Sequence, residues 1–325
     1  MQAENAKETM IAVTGANGFV GSHVLHAVLE DGSAAMGLVR TGAAREALRQ
    51  LDDWSELSLR MALQGASAVI HAASVVHRPG APAEEFEQFN RDGTRTLVAA
   101  ARAAGVRQII YLSSIKVYGE ERFDQADEDT APHPQDPYSA TKLEAEQIVL
   151  DSARSGGPIG TVLRLAPVFG RGDKGNVRRV ISAIARNRFL LPADGSTRKS
   201  LVHISTVVEV VRAVLARKAG GIFVVADRIA PSMRELADAA AGALGVRKAI
   251  AVPTVLLQAV ALPVEVACAL LGREPPVSRS LIRKSLLTTI CSPAKAEREL
   301  GVSCHVDLTA AVADEVAWLR ESGLL

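Results

Sequence analysis

The stretch Met10-Ile11-Ala12-Val13-Thr14-Gly15-Ala16-Asn17-Gly18-Phe19-Val20-Gly21, continued by SHVLHAVLEDG as far as Gly32, decides the fold. A short apolar, partly β-branched run ends in glycine, and helical spacing starts a few residues later, so the segment reads as strand, turn, helix. Its glycines stand as GxxGxxG, one residue wider between the first two than the usual dinucleotide fingerprint. The first glycine permits a tight turn, the second lets the backbone approach a pyrophosphate, and the third lets the helix pack on its strand. Phosphates then sit at the helix N-terminus. The plainer alternative is a structural turn with no ligand.

Outward from that turn the strand pattern recurs at 34 to 40, 66 to 73, 108 to 114, 160 to 166 and 221 to 227, with helical patterns between, among them FEQFNRDGTRTLVAAARAAG ending on Gly105. Near-continuous apolar strands need cover on both faces, and alternation with helices makes the sheet parallel. The expected fold class is therefore α/β, a Rossmann doubly wound parallel sheet with a smaller, mostly helical C-terminal substrate domain. Residues 1 to 9 read as a polar tail without a signal-peptide core, 10 to 170 as the dinucleotide-binding domain, and 171 to 325 mainly as the substrate domain, with 221 to 227 returning to the sheet. No third strand is legible between Thr41 and Trp54.

The chain has 325 residues, 48% of them hydrophobic and 22% charged, with a net charge of +1. That balance carries no basic field for a phosphodiester backbone, so no nucleic-acid partner is expected. Cys268, Cys291 and Cys304 lack CxxC spacing, which argues against a zinc cluster or disulfide framework and for buried thiols in a reducing, cytoplasmic setting. The apolar stretch from 249 to 272 is interrupted by Pro253, Pro263 and Glu265, and reads as two helices packed on a core rather than a membrane span. No membrane partner is expected.

At the end of the second strand, where an acidic residue usually meets the adenosine ribose, stands Arg40. An arginine there pairs with a 2'-phosphate, stacks on adenine or faces solvent; the first favours NADP over NAD. Ser113-Ser114 closes a later strand, and Tyr138 and Lys142 lie in YSATK at i,i+4, on one helix face. A free tyrosine has a pKa of about 10, and an adjacent ammonium favours its phenolate. Ser114 is placed to hydrogen-bond the reacting oxygen. The alternative is that Tyr138 merely packs the start of a helix after Pro137.

TGANGFVGSHV, VIHAAS, FNRDGTRTLVAAARAAGV, YLSSIKVYGE, DPYSATKLEAE, LRLAPVFGRGDKGN, RKSLVHIS and AKAERELGV follow one another in an order that resembles the extended short-chain dehydrogenase/reductases, the nucleotide-sugar epimerase, dehydratase and reductase group. The resemblance covers nearly the whole chain. It implies Ser114, Tyr138 and Lys142 as catalytic residues. It also implies Gly15, Asn17, Gly18, Phe19, Val20, Arg40, Ala72, Ala73, Asn90 and Leu165, with Tyr138 and Lys142, around the cofactor. Asn176 falls where the family meets the nucleotide sugar, and Arg198-Lys199 at the block whose arginine grips the diphosphate, with Lys199 at the usual arginine position. Arg283 is either a second phosphate contact or a solvated helix charge. A homodimer built on a pair of helices per subunit is a further family expectation.

A 4,6-dehydratase in this group resembles Thr-Asp-Glu where this chain has Ser114-Ile115-Lys116, which lacks the acid and base for eliminating water. What remains is reduction of a 4-keto sugar or reversible 4-epimerisation. The SSIKVYGE and RKSLVHI blocks look most like bacterial UDP-4-keto-6-deoxy-N-acetylhexosamine 4-ketoreductases and UDP-sugar 4-epimerases of surface polysaccharide synthesis. The working expectation is the reductase using NADP, with NAD as the alternative; a UDP-sugar epimerase retaining NAD and a non-catalytic dinucleotide sensor are the other readings.

Overall fold

The computed structural model describes residues 10–40, 47–75, 82–154, 156–270 and 278–325. At its centre is a seven-stranded sheet whose strands lie in the order Gly221–Val225, Ile159–Leu165, Gln108–Ser114, Ala66–His71, Met10–Thr14, Ala35–Val39, Leu48–Gln50. Every pair is parallel. The chain builds one half outward from Met10–Thr14, then crosses to build the other from Ala66–His71. The order reverses between those two strands, so their C-terminal ends open the crevice in which such sheets hold ligands.

The side-chain period of two divides each central strand between two cores. Val13, Ile70, Ile110, Leu112, Leu163 and Leu165 enter one, against the helices Phe19–Glu30 and Ile204–Arg217. Ala12, Val69, Ile109, Tyr111 and Val162 enter the other, against Leu59, Leu97, Ala100 and Val149. That double burial explains why these strands read as unbroken apolar runs. Leu48–Gln50 differs: it is a three-residue edge strand with Arg49 and Gln50 exposed, so no apolar pattern announces it.

The helical run expected to end on Gly105 is a composite of Ala83–Phe86, a π-helical segment Glu87–Asp92 and Gly93–Ala103, and Gly105 follows at φ +76°. A third core gathers Val177, Ile181, Leu191, Leu236, Ala240, Val312 and Leu319. They come mainly from the helices Asn176–Ala185, Met233–Leu244 and Leu308–Glu321. Ala296 and Leu300, far along the chain, return to the first core beside Val207 and Val210.

Two expectations need correction. The stretch from 249 to 272 holds one helix, Thr254–Leu270, that runs through Pro263. Among its described side chains only Ala261 is buried, because none of the three cores extends to it. Cys291 and Cys304 are buried free thiols as expected, but Cys268, on that helix, is partly exposed. Among the described residues no helix is long and apolar enough to cross a membrane, and no cluster of side chains could hold a metal ion.

Candidate active site

The glycine turn lies at the head of the crevice. Gly15 adopts φ +67°, and a Cβ there would stand 2.7 Å from the Ala73 nitrogen. A Cβ on Gly21 would stand 2.3 Å from the Gly15 carbonyl oxygen, and one on Gly18 3.1 Å from it. Gly15 and Gly21 are thus held to glycine by close backbone approach, and a Cβ on Gly18 would crowd the same carbonyl. Gly18 caps the helix Phe19–Glu30 without any side-chain hydrogen bond, leaving the backbone donors of its first turn facing the cleft. Asn17, Phe19 and Val20 lie at that same turn, and Gly172 of the GRGDKGN loop packs on Phe19. A turn stripped of Cβ atoms at an uncapped helix N-terminus fits the pyrophosphate of a dinucleotide.

Beneath the turn runs a buried polar chain that sequence reasoning missed. Thr14 Oγ1 accepts from the Ala73 N–H at 3.2 Å and meets His71 Nδ1 at 2.7 Å. His71 Nε2 lies 3.0 Å from Thr94 Oγ1, whose own proton goes to the Asn90 carbonyl. Thr94 can therefore only accept from His71, which places the ring proton on Nε2 and leaves Nδ1 to accept from Thr14. The ring is neutral: burial, helped by the Lys142 charge, pulls His71 down to about 3. Asn90 completes the chain by accepting from the Val75 N–H at 2.8 Å and from Ser74, and by donating to the Val75 carbonyl at 3.0 Å. Its amide is spent on pinning the segment after Ala72 and Ala73, so it acts on the cleft through that backbone.

Arg40 ends the second strand with its guanidinium 4.5 Å over the Phe89 ring, and it has no acidic partner among the described residues. Thr41, beside it, lies outside the described residues. Leu165 ends its strand buried in the first core.

Ser114 closes the strand Gln108–Ser114, and Tyr138 and Lys142 occupy the first turns of the helix Pro137–Arg154. The Ser114 oxygen accepts from the Lys116 N–H at 3.2 Å, which leaves its own proton for Tyr138. Tyr138 packs edge-on against Phe86. Burial and the Asp136 charge push its phenol up to about 12, against a hydrogen bond with Ser114 that pulls it down. The spacing argument had Lys142 lowering Tyr138; instead the Lys142 ammonium donates to the Leu112 carbonyl at 2.6 Å and lies 4.1 Å over the Tyr111 ring. Burial draws Lys142 itself down to about 7, with Glu146 opposing.

Glu146, fully buried, is a second residue not foreseen. It accepts from Arg164 Nη2 at 2.8 Å and from the Ser113 hydroxyl, while Arg164 Nη1 donates to the Tyr118 hydroxyl at 3.1 Å. The available signals were its position one turn beyond Lys142 and the single charge in the apolar strand GTVLRLA.

The expected substrate contacts are differently placed. Asn176 is exposed at the first turn of its helix. Arg198 donates to the Ala230 carbonyl at 2.7 Å and pairs with Glu235 at 3.5 Å. Lys199 donates to the carbonyls of Leu287 at 2.8 Å and Lys284 at 3.1 Å, so its ammonium braces two chain segments. Arg283 is exposed and makes no ion pair among the described residues.

The family model described as NAD dependent epimerase/dehydratase matches residues 11–226. An N-acetyl-alpha-D-glucosaminyl-diphospho-ditrans,octacis-undecaprenol 4-epimerase from Escherichia coli O157:H7 is 28% identical over 65% of this chain and 64% of its own length, so the match spans less than two thirds of that relative. A ceramide reductase from Caulobacter vibrioides is 26% identical over 97% of this chain and 96% of its own. The solved structure of MoeE5 in complex with UDP-glucose and NAD superposes with a TM-score of 0.75 at 25% identity, covering 96% of this chain and 99% of that one.

Proposed function

Because the chain belongs to the NAD-dependent epimerase/dehydratase family, we propose that it is a ketoreductase acting on a 4-keto nucleotide sugar of the UDP-4-keto-6-deoxy-N-acetylhexosamine type, in surface polysaccharide synthesis. The observation that carries this reading is the hydrogen bond between Ser114 and Tyr138 beside the strand end, which sets two hydroxyls to share one substrate oxygen, while burial keeps the phenol protonated at neutral pH.

A bound dihydronicotinamide supplies the hydride that reduces the keto carbon. Tyr138 gives its hydroxyl proton to the carbonyl oxygen, which becomes the product hydroxyl, and solvent restores the phenol. Ser114, hydrogen-bonded to Tyr138, turns its proton to the same oxygen and polarises it. Lys142 donates to the Leu112 carbonyl, two residues before Ser114 on the strand, and burial draws its ammonium down to about 7. Gly15, Gly18 and Gly21 would hold the pyrophosphate. Arg40, without an acidic partner among the described residues, favours a 2'-phosphate and so NADP. The match to a ceramide reductase over 97% of the chain supports net reduction, and the match to an undecaprenol-linked sugar 4-epimerase favours epimerisation with retained NAD as the second reading. Lys199 is held by backbone carbonyls, and Arg198 by the Ala230 carbonyl and Glu235, so of the expected diphosphate contacts Asn176 and Arg283 are the ones left exposed. A homodimer remains part of the proposal.

The test is to identify any nucleotide released from the purified protein, then follow nicotinamide absorbance with UDP-4-keto-6-deoxy-N-acetylhexosamine. Stoichiometric NADPH consumption is expected. Tightly held NAD with sugar interconversion and no net consumption would overturn the reductase in favour of the epimerase. Turnover of a long-chain ketone with none of the nucleotide sugar would overturn the substrate class.

A further inference from the structure

The helix Thr254–Leu270, TVLLQAVALPVEVACAL, carries one charged residue in 17, yet it lies on the outside of the molecule. That residue, Glu265, is neutralised by Arg279 at 2.7 Å. Val255 is 75% exposed, Leu256 57%, Val260 67% and Leu262 44%. The apolar surface continues on the strand pair that precedes the helix. Leu190–Pro192 runs parallel to Ile250–Val252 in a register that sets Leu190, 50% exposed, beside Ile250, 70% exposed. Scattered exposed apolar residues are ordinary, but a helix and two strands presenting them contiguously mark a binding surface.

Two further features say what covers it. At the N-terminal end of that strand pair stand Arg186, Arg188 and Arg247, none with an ion pair among the described residues. The neighbouring Lys248 is paired with Asp238 at 2.9 Å and Glu265 with Arg279, which among the described residues leaves Asp194, bonded to Ser196 by its carboxylate, as the one acid close by against three free arginines. The patch is thus aliphatic with a net cationic rim. An aliphatic surface with free arginines at one edge fits the headgroup region of an anionic bilayer. At a rise of about 1.5 Å per residue the helix is about 25 Å long, short of the roughly 30 Å hydrocarbon core, so it rests on a membrane rather than crossing one.

We propose that the surface formed by Thr254–Leu270 and the adjoining strands Leu190–Pro192 and Ile250–Val252 docks the protein on an anionic membrane surface, the aliphatic side chains entering the interface and Arg186, Arg188 and Arg247 meeting lipid phosphates. This replaces the sequence expectation of no membrane partner, and it stands apart from the choice of substrate.

The experiment is flotation of the full chain with vesicles of phosphatidylcholine alone and of equimolar phosphatidylcholine and phosphatidylglycerol. Binding to the mixed vesicles is expected, with at least about tenfold weaker binding to phosphatidylcholine alone and a steep loss with salt. A Leu256→Glu, Val260→Glu variant, altered only at exposed positions, keeps its melting temperature and loses vesicle binding by about tenfold or more. An Arg186→Gln, Arg188→Gln, Arg247→Gln variant loses the preference for phosphatidylglycerol. Absence of flotation, or flotation unchanged in the Glu variant, overturns the proposal. So does concentration-dependent self-association that the Glu variant abolishes without vesicle binding, which would assign the face to a second copy of the chain.

Discussion

Tyr138 and Lys142 stand one helical turn apart, and burial drives them in opposite senses, the phenol up to about 12 and the ammonium down to about 7. Both shifts favour the neutral form, since a low-dielectric site penalises either charge. Tyr138→Phe removes the proposed proton donor while leaving the ring against Phe86. Turnover should fall by roughly 10²- to 10⁴-fold with nicotinamide nucleotide affinity little changed, as measured by steady-state rates and fluorescence titration. Ser114, Tyr138 and Lys142 were legible because strand-end position and i,i+4 spacing are local properties. Glu146 was not, because its importance comes from Ser113 and Arg164, which reach it from neighbouring strands. Glu146→Ala strands the Arg164 guanidinium, 2% exposed, without its counter-charge. Urea unfolding should register a loss of about 3–5 kcal/mol, the usual result of removing one partner of a buried pair.

Among the elements, the first strand, glycine turn and helix depend on a contact finer than any pattern. A methyl group on Gly21 would lie 2.3 Å from the Gly15 carbonyl oxygen, so Gly21→Ala must push the helix off the turn. A destabilisation of about 1–3 kcal/mol is expected from thermal unfolding, together with weaker dinucleotide binding in the same fluorescence titration, because the turn shapes the pyrophosphate cradle. The six longer strands of the sheet were readable from their apolar runs. Leu48–Gln50 was unreadable because an edge strand with two exposed residues has no face to bury. The helix Thr254–Leu270 was misread for the converse reason: its composition is that of a core element, but among the described residues it is chiefly the short helix Arg279–Ser285 that packs on it, and most of its described side chains stay exposed or half-buried.

Across the whole molecule, buried groups in different cores tie stability to pH in opposing ways. Burial and Asp173 raise Glu315, which is fully buried near Gly170, to about 8. The folded state therefore keeps a proton that the unfolded chain releases near 4.5, and stability falls as pH rises from there to about 8. His71, lowered from 6.5 to about 3, acts the other way: the unfolded chain takes up a proton that the folded ring refuses, and stability falls as pH drops through that window. Glu315→Gln should raise stability at pH above 8 by about 1–3 kcal/mol and flatten the alkaline limb. Denaturant midpoints across pH check it; an unchanged alkaline limb would contradict the buried proton.

By itself the sequence determined the doubly wound sheet, the glycine turn, and the placement of Ser114 at a strand end with Tyr138 and Lys142 one helical turn apart, because strand runs, turns and one-turn spacings are dictated by near neighbours along the chain. Only the tertiary structure decided where charge and apolar surface end up. It sent the Lys142 ammonium to the Leu112 carbonyl, spent Lys199 on Leu287 and Lys284, buried Glu146 against Arg164, and left Thr254–Leu270 facing outward. Burial and choice of partner depend on groups brought together from distant parts of the chain, and no local pattern contains them.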